Sequence, residues 1–302
     1  MTYDALKEYL EQNSDEIMKQ TGAHMVGIGK NADGEDILNI YAENPPTNQE
    51  SKAMQKLFSD SVKIPFQYVV EKQSESDILY VNEEESLHKD YGRYRPLIGG
   101  IQVYLKNKTK AWFGTLGTFV KSKDSKDNKL YLLSNKHVLD SVNLNVYQPL
   151  PGDNNIIAKV CRVEEFNNTD AALAEVLNPS DVDADVIEEI GIITEIKKIE
   201  KSDAGKKVIK RGRTTIRTVG TIESTSATVR LTDGTVRYDC VIVRANKGEL
   251  FSNSGDSGSP VVMSGEGKLV GLHFAGNQTP GGTSIFCKID NVFENYNIKL
   301  TD

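Results

Sequence analysis

Apolar positions follow one period near the amino terminus of this chain and another beyond it. Over residues 4–20 they keep to one face of a helix, with Leu6, Leu10, Ile17 and Met18 roughly aligned and Gly22 behind them as a stop. Two short runs come next, Met25-Val-Gly-Ile-Gly and Ile37-Leu-Asn-Ile-Tyr41. The turn Asn31-Ala-Asp-Gly34 lies between them, which predicts a pair of strands. Pro45-Pro46 breaks the pattern before a second predicted helix over roughly residues 49–58 and a third strand over about 64–70. Residues 1–72 thus read as a small α/β domain. Residues 73–96 are charged and poor in aliphatic side chains, and read as a linker. They include His88 and the acidic run Glu83-Glu-Glu85, which reads as solvated chain.

From Leu97 onward the apolar spacing shortens toward two. Ile101-Gln-Val-Tyr-Leu105, Val160-Cys-Arg-Val163, Val219-Gly-Thr-Ile222, Tyr238-Asp-Cys-Val-Ile-Val243 and Val270-Gly-Leu-His-Phe274 recur between Gly, Asp, Asn and Ser turns. The texture is mainly β. Residues 97–302 are long enough for two antiparallel barrels packed together, with a short helix over residues 290–296 at the end.

Composition narrows the function classes. The net charge of −7 argues against a nucleic-acid or anionic-membrane partner, and 38% hydrophobic with 26% charged residues is ordinary for a soluble globular chain. The basic run Lys206-Lys-Val-Ile-Lys-Arg-Gly-Arg213 reads as a solvated strand face. The first 25 residues carry acids throughout and lack an apolar core, so no signal peptide is expected; no run approaches the roughly 18–20 apolar residues of a membrane helix. Cys161, Cys240 and Cys287 are odd in number and sit in apolar or alternating stretches, which predicts buried thiols and a cytoplasmic location. No Cys/His cluster has metal-ligand spacing, and neither a metal nor a cofactor is expected.

The candidate chemistry centres on Gly255-Asp-Ser-Gly-Ser-Pro260. Ser257 sits in a tight turn flanked by small residues, where a carbonyl can approach and the N–H groups of Gly255 and Ser257 can converge on one oxygen. A serine hydroxyl needs a base, and the base needs an acid to hold its tautomer. Of the four histidines, His24 opens a strand and His88 lies in the linker. His137 follows the apolar strand ending in Ser134-Asn-Lys, at a rigid strand end. Asp170 heads the apolar run Ala171-Ala-Leu-Ala174, where a carboxylate tends to be buried and hydrogen-bonded; Asp140 and Asp153 are its nearest rivals.

These three blocks, Ser134-Asn-Lys-His137-Val, Thr169-Asp-Ala-Ala-Leu and Gly255-Asp-Ser-Gly-Ser-Pro260, resemble those of bacterial trypsin-like serine peptidases over roughly residues 97–302. The resemblance implies a chymotrypsin-type double barrel. It also implies a serine endopeptidase with His137, Asp170 and Ser257 as triad and Gly255 and Ser257 as oxyanion hole. Arg213-Thr-Thr215 followed by Gly220-Thr-Ile222 is similar to a Gly-Arg-Thr-Thr-Gly stretch of secreted relatives, departing from it at Ile216. Arg95-Pro-Leu-Ile-Gly-Gly100 resembles a zymogen activation site, but a proline directly after the arginine argues against tryptic cleavage. Asp256 then needs an internal cation, for which Lys210 and Arg211 are the candidates.

Phe251 stands where trypsin-type pockets carry an acid, which argues against Lys/Arg specificity. Gly271-Leu-His273-Phe274-Ala-Gly276 resembles the pocket wall of glutamyl endopeptidases. That resemblance implies that His273, Phe274 and Gly276, with Ser252 as a second donor, receive a P1 Glu or Gln. The bland alternative for His273 is a core histidine satisfied by backbone. The expected partners are a protein or peptide substrate and a protein that activates or inhibits through the N-terminal domain. The other function class is a catalytically latent, protease-fold binding module.

Overall fold

The computed structural model describes residues 2–59, 64–77, 79–80, 92–152 and 154–301; His88, Glu83-Glu-Glu85 and Asp153 lie outside the described residues. Helix α1 (Tyr3–Thr21) starts where Thr2 Oγ1 accepts the Ala5 N–H at 3.3 Å, and it stops at Gly22 in the left-handed region. Its apolar face covers strands β1 (Met25–Lys30) and β2 (Asp36–Ala42). Leu6, Leu10, Val26, Ile28 and Leu38 share a core there with Phe58 of α2 (Asn48–Ser59). β3 (Phe66–Val70) joins β2 in parallel. Within residues 73–96, read from sequence as a linker, the structure places two short paired strands, β4 (Glu75–Ser76) and β5 (Leu79–Tyr80).

The first barrel follows. After β6 (Leu97–Gly99), which belongs to a separate three-stranded sheet, its strands are β7 (Gln102–Lys106), β8 (Ala111–Thr115), β9 (Thr118–Ser122) and β10 (Leu130–Ser134). After the short helix α3 (Lys136–Leu139) come β11 (Asn145–Tyr147), β12 (Ile156–Arg162) and β13 (Ala172–Val176). The hydrogen-bonded order runs β9-β10-β13-β12-β11-β7-β8. Its end strands β8 and β9 are joined by Leu116-Gly117 alone, so the sheet must curl back on itself. Val103, Leu105, Trp112, Phe119, Leu132 and Val160 fill the interior.

Strands β14 (Val182–Ile187), β15 (Gly191–Ile192) and β16 (Glu195–Ile196) cross to the second barrel. That barrel contains β17 (Lys207–Gly212), β18 (Ile216–Arg230), β19 (Val236–Ala245), β20 (Pro260–Met263), β21 (Lys268–Gly276) and β22 (Thr283–Lys288). The order β17-β20-β21-β22-β19-β18 closes into a ring through the β17–β18 pairing. Val208, Ile222, Val243, Phe251, Val261 and Phe286 form its interior. Helix α4 (Ile289–Tyr296) leads to β23 (Ile298–Leu300), which returns to β9 of the first barrel. The chain is mainly β, two antiparallel barrels preceded by an α/β segment.

The amino-terminal strands do not stand apart from this frame. The far half of β18 pairs with β1, Met25 opposite Val229 and Gly27 opposite Ala227. A Cβ on Gly27 would lie 2.6 Å from Ser224 Oγ and 2.9 Å from Ala227 Cβ, so the close crossing of these strands requires glycine. Met25 and Tyr41 share a core with Val229, Leu272, Phe274 and Cys287. Tyr41 also donates to Glu223 at 2.6 Å, and Arg244 bridges Glu223 (2.5 Å) and Glu71 (3.0 Å).

Candidate active site

The cleft between the barrels is assembled from turns held by long-range hydrogen bonds. His137 lies on α3, immediately after β10. Buried Val138 and Leu139 anchor that helix in the first core, and Trp112 Nε1 donates to the Val138 carbonyl at 2.7 Å. Asp170 lies at the mouth of β13. Asn135 Nδ2 donates to its carbonyl at 2.6 Å, and Tyr296 donates to the next carbonyl, that of Ala171, at 2.5 Å. The Ser257 carbonyl accepts from Thr115 N at 2.8 Å, and Gly258 N donates to the His273 carbonyl at 2.9 Å. Gly258 has a φ of 93°, and a Cβ there would meet the Thr115 carbonyl oxygen at 2.2 Å, so only glycine fits this turn.

These elements bring the three side chains together. His137 Nε2 lies 2.7 Å from Ser257 Oγ, and His137 Nδ1 lies 2.5 Å from Asp170 Oδ2. The His137 backbone N–H also donates to Asp170 Oδ1 at 3.2 Å. Burial pushes the Asp170 carboxyl up, but the neighbouring His137 and the charge of Arg237 hold it below its ordinary value. Of the rival acids, Asp140 caps α3 and takes the Ser141 hydroxyl instead. The arrangement can remove a proton from Ser257 and hold the imidazolium that results.

Asp256 is fully buried beneath the nucleophile. Lys210 Nζ lies 3.1 Å from it, with both side chains wholly inaccessible. The carboxylate also accepts from Thr214 N (2.7 Å), Thr215 Oγ1 (2.6 Å) and Asn253 N (3.0 Å). Burial raises its pKa, and the Lys210 charge together with these donors outweighs that and leaves it depressed. Of the two candidate cations, Lys210 is the one that reaches Asp256; Arg211 donates to the Gly100 carbonyl at 2.7 Å. Sequence reading made the basic run a solvated face. The structure buries Lys210, Arg211 and Arg213, because each meets a fixed acceptor from a distant segment, Gln102 Oε1 at 2.8 Å in the case of Arg213.

The pocket holds a residue that sequence reasoning did not place there. Asp77 is fully buried, with Oδ2 2.7 Å from His273 Nε2 and Oδ1 accepting from Gln278 Nε2 at 3.0 Å. His273 therefore meets a carboxylate rather than a backbone partner. Phe274 contributes its carbonyl, which accepts from Asp77 N and Ser257 Oγ, both at 3.3 Å; its ring belongs to the core between the barrels. Gly276 leaves room for the neighbouring hydroxyls, since a Cβ there would sit 2.6 Å from Ser252 Oγ and 3.0 Å from Ser284 Oγ. Ser252, expected as the second donor, pairs with Ser284 Oγ at 2.9 Å, and the donor that reaches Asp77 beside His273 is Gln278 Nε2. A cleft of about 460 Å³ opens beside His137 and Asp170, lined also by Ser76, Leu231 and Arg237.

Comparison with known proteins agrees with this architecture. Solved structures with the same fold include Thermobifida fusca protease A (20% identity, TM-score 0.51, covering 68% of this chain and 97% of that one). A glutamic-acid-specific serine protease, described as using a histidine triad in substrate binding, matches at 16% identity and TM-score 0.54, covering 68% of this chain and all of its own. Cellulomonas bogoriensis chymotrypsin matches at 16% identity and TM-score 0.50, covering 68% and 97%. The fold is thus that of the chymotrypsin-like serine proteases. Residues 126–294 match the sequence model of the trypsin family, more than half of the chain, and the chain belongs to that family. It is a serine endopeptidase by family and fold. No protein of curated function matches it significantly in sequence.

Proposed function

We propose that this endopeptidase cleaves peptide bonds after acidic residues through His137, Asp170 and Ser257. Ser257 Oγ attacks the carbonyl as His137 takes its proton, and Asp170 keeps Nδ1 protonated and Nε2 facing the serine. Gly255 and Ser257 N–H groups hold the oxyanion. His137 then activates water to release the acyl group. The Lys210–Asp256 pair supports an active turn without cleavage after Arg95, as does the burial of Leu97 and Ile98 just beyond that bond. Three free thiols, two of them buried, favour work in a reducing compartment.

The observation that carries the specificity is the pair of donors, His273 Nε2 and Gln278 Nε2, converging on one carboxylate. A side-chain amide at P1 would turn its NH2 against one of them, so a carboxylate is favoured over Gln or Asn. The neighbour described as glutamic-acid-specific shares this fold, which is consistent with the reading. Cleavage of a peptide library should give Asp or Glu at P1, and His273→Ala should cut kcat/KM for acidic P1 by about 100-fold or more, on the order of one lost charge-assisted bond with its partner left buried. A preference of the wild type for Phe, Leu or Arg would reject the assignment.

A further inference from the structure

The geometry points to a self-processing site: we infer that the chain cuts its own backbone on the carboxyl side of Asp77. This rests on the proposed triad and acidic pocket, and it identifies a substrate for them.

Residues 74–77 are not merely near the nucleophile. They lie in the cleft as a bound substrate would. The Asp77 carbonyl oxygen accepts from both Gly255 N (2.6 Å) and Ser257 N (3.3 Å), the two groups that would stabilise an oxyanion. Its N–H donates to the Phe274 carbonyl at 3.3 Å, and its carboxylate fills the pocket against His273 and Gln278. Upstream, Ser76 and Glu75 run antiparallel to β21 opposite Ala275 and Gly276, and the Ser74 carbonyl accepts from Thr232 N at 3.1 Å. This is strand addition, the general way an extended peptide is held by a sheet edge.

Beyond the nucleophile the chain pairs again, on the other barrel. The backbones of Leu79 and Tyr80 pair antiparallel with Phe113 and Trp112 of β8, whose last residue, Thr115, donates to the Ser257 carbonyl. Strand pairing therefore grips the segment on both sides of Ser257. A loop resting on the surface would need neither grip, nor a carbonyl seated on the two convergent N–H groups.

The chemistry balances within the chain. Ser257 Oγ adds to the Asp77 carbonyl carbon while its proton passes to His137 Nε2. The C–N bond to the next residue breaks, and His137 returns the proton to the departing nitrogen of Ile78. Water, deprotonated by His137, then cleaves the ester. The products are an α-carboxylate on Asp77, an α-amine on Ile78 and free Ser257. Because β1 stays paired with β18, the two fragments remain associated, and the cut is visible only under denaturing conditions.

The test is intact-mass analysis and amino-terminal sequencing of denatured full-length protein, alongside fluorophosphonate labelling. The wild type should yield a fragment beginning at Ile78, and neither Ser257→Ala nor Asp77→Ala should. The rate should not change with protein concentration, and active chain should not cut Ser257→Ala in trans at a comparable rate. A wild type that labels at Ser257 yet stays whole would overturn self-processing and leave the protease assignment standing. So would a cut that persists in Ser257→Ala. Absence of both labelling and cleavage in wild type and Asp77→Ala would overturn the catalytic reading underneath as well.

Discussion

Made in the Asp77→Ala background, which removes the chain's own carboxylate from the pocket, His137→Ala should hydrolyse a peptide with an acidic P1 residue about 10⁵–10⁶-fold more slowly than its parent, with KM little changed. The loss is large because His137 Nε2, 2.7 Å from Ser257 Oγ, is the one base within reach of the nucleophile among the described residues. Ser257→Ala should cost about as much, and the double variant scarcely more, since base and nucleophile act as a unit. Asp170→Asn should fall by about 10⁴-fold, because an amide at Oδ2 favours the wrong tautomer of a ring held at 2.5 Å. Steady-state kinetics on one substrate for all four variants check this. Additive losses would show that the residues do not work together.

The second large effect falls on stability. Asp256→Asn, made in the Ser257→Ala background so that the chain stays whole, should lower unfolding free energy by about 3–5 kcal/mol in urea titration. The reason is Lys210. Its ammonium is wholly buried and faces Asp256 at 3.1 Å, so removing the carboxylate leaves a cation without its counter-charge. Adding Lys210→Met should recover much of the loss, because a buried pair removed together costs far less than one broken in half. The pH dependence has a defined sign. The folded pKa of Asp256 lies below the ordinary carboxylate value of about 3.9, so its contribution is complete above that value and lost as pH falls through the depressed one. Acid unfolding should therefore be less steep in the Asp256→Asn, Lys210→Met protein than in its parent.

Much of the site could be read from the sequence for a chemical reason. Catalysis at serine needs a glycine-flanked turn, and a histidine and an acid at the ends of buried strands. Such needs leave local marks at Ser134-Asn-Lys-His137, Thr169-Asp170-Ala and Gly255-Asp-Ser-Gly-Ser. The amphipathic period of α1 and the alternation of the barrel strands were legible because each element buries one face. The choice between Lys210 and Arg211 was not, since adjacent residues of β17 point to opposite faces and the sequence does not say which face meets Asp256.

Asp77 was invisible for a different reason. Ser74-Glu-Ser-Asp77 has no strand propensity and no apolar period, and its conformation comes from pairing with β21 and from hydrogen bonds to Thr232, Gly255, Ser257 and Gln278, all distant in sequence. Gln278 escaped notice because a polar residue in a turn carries no sign of where it points. Ile216 shows the opposite case. It breaks the pattern of relatives that carry glycine, and it does adopt a φ of 58°, a left-handed conformation that is strained for a β-branched side chain.

The most direct test of the central claim is covalent capture of the nucleophile. Wild-type and Asp77→Ala chains, uncut after Arg95, are treated with a fluorophosphonate, digested and mapped by peptide mass. The geometry predicts an adduct on Ser257, lost in Ser257→Ala and suppressed in His137→Ala. An adduct on another serine, or none in either chain, would contradict the assignment of Ser257 as the nucleophile.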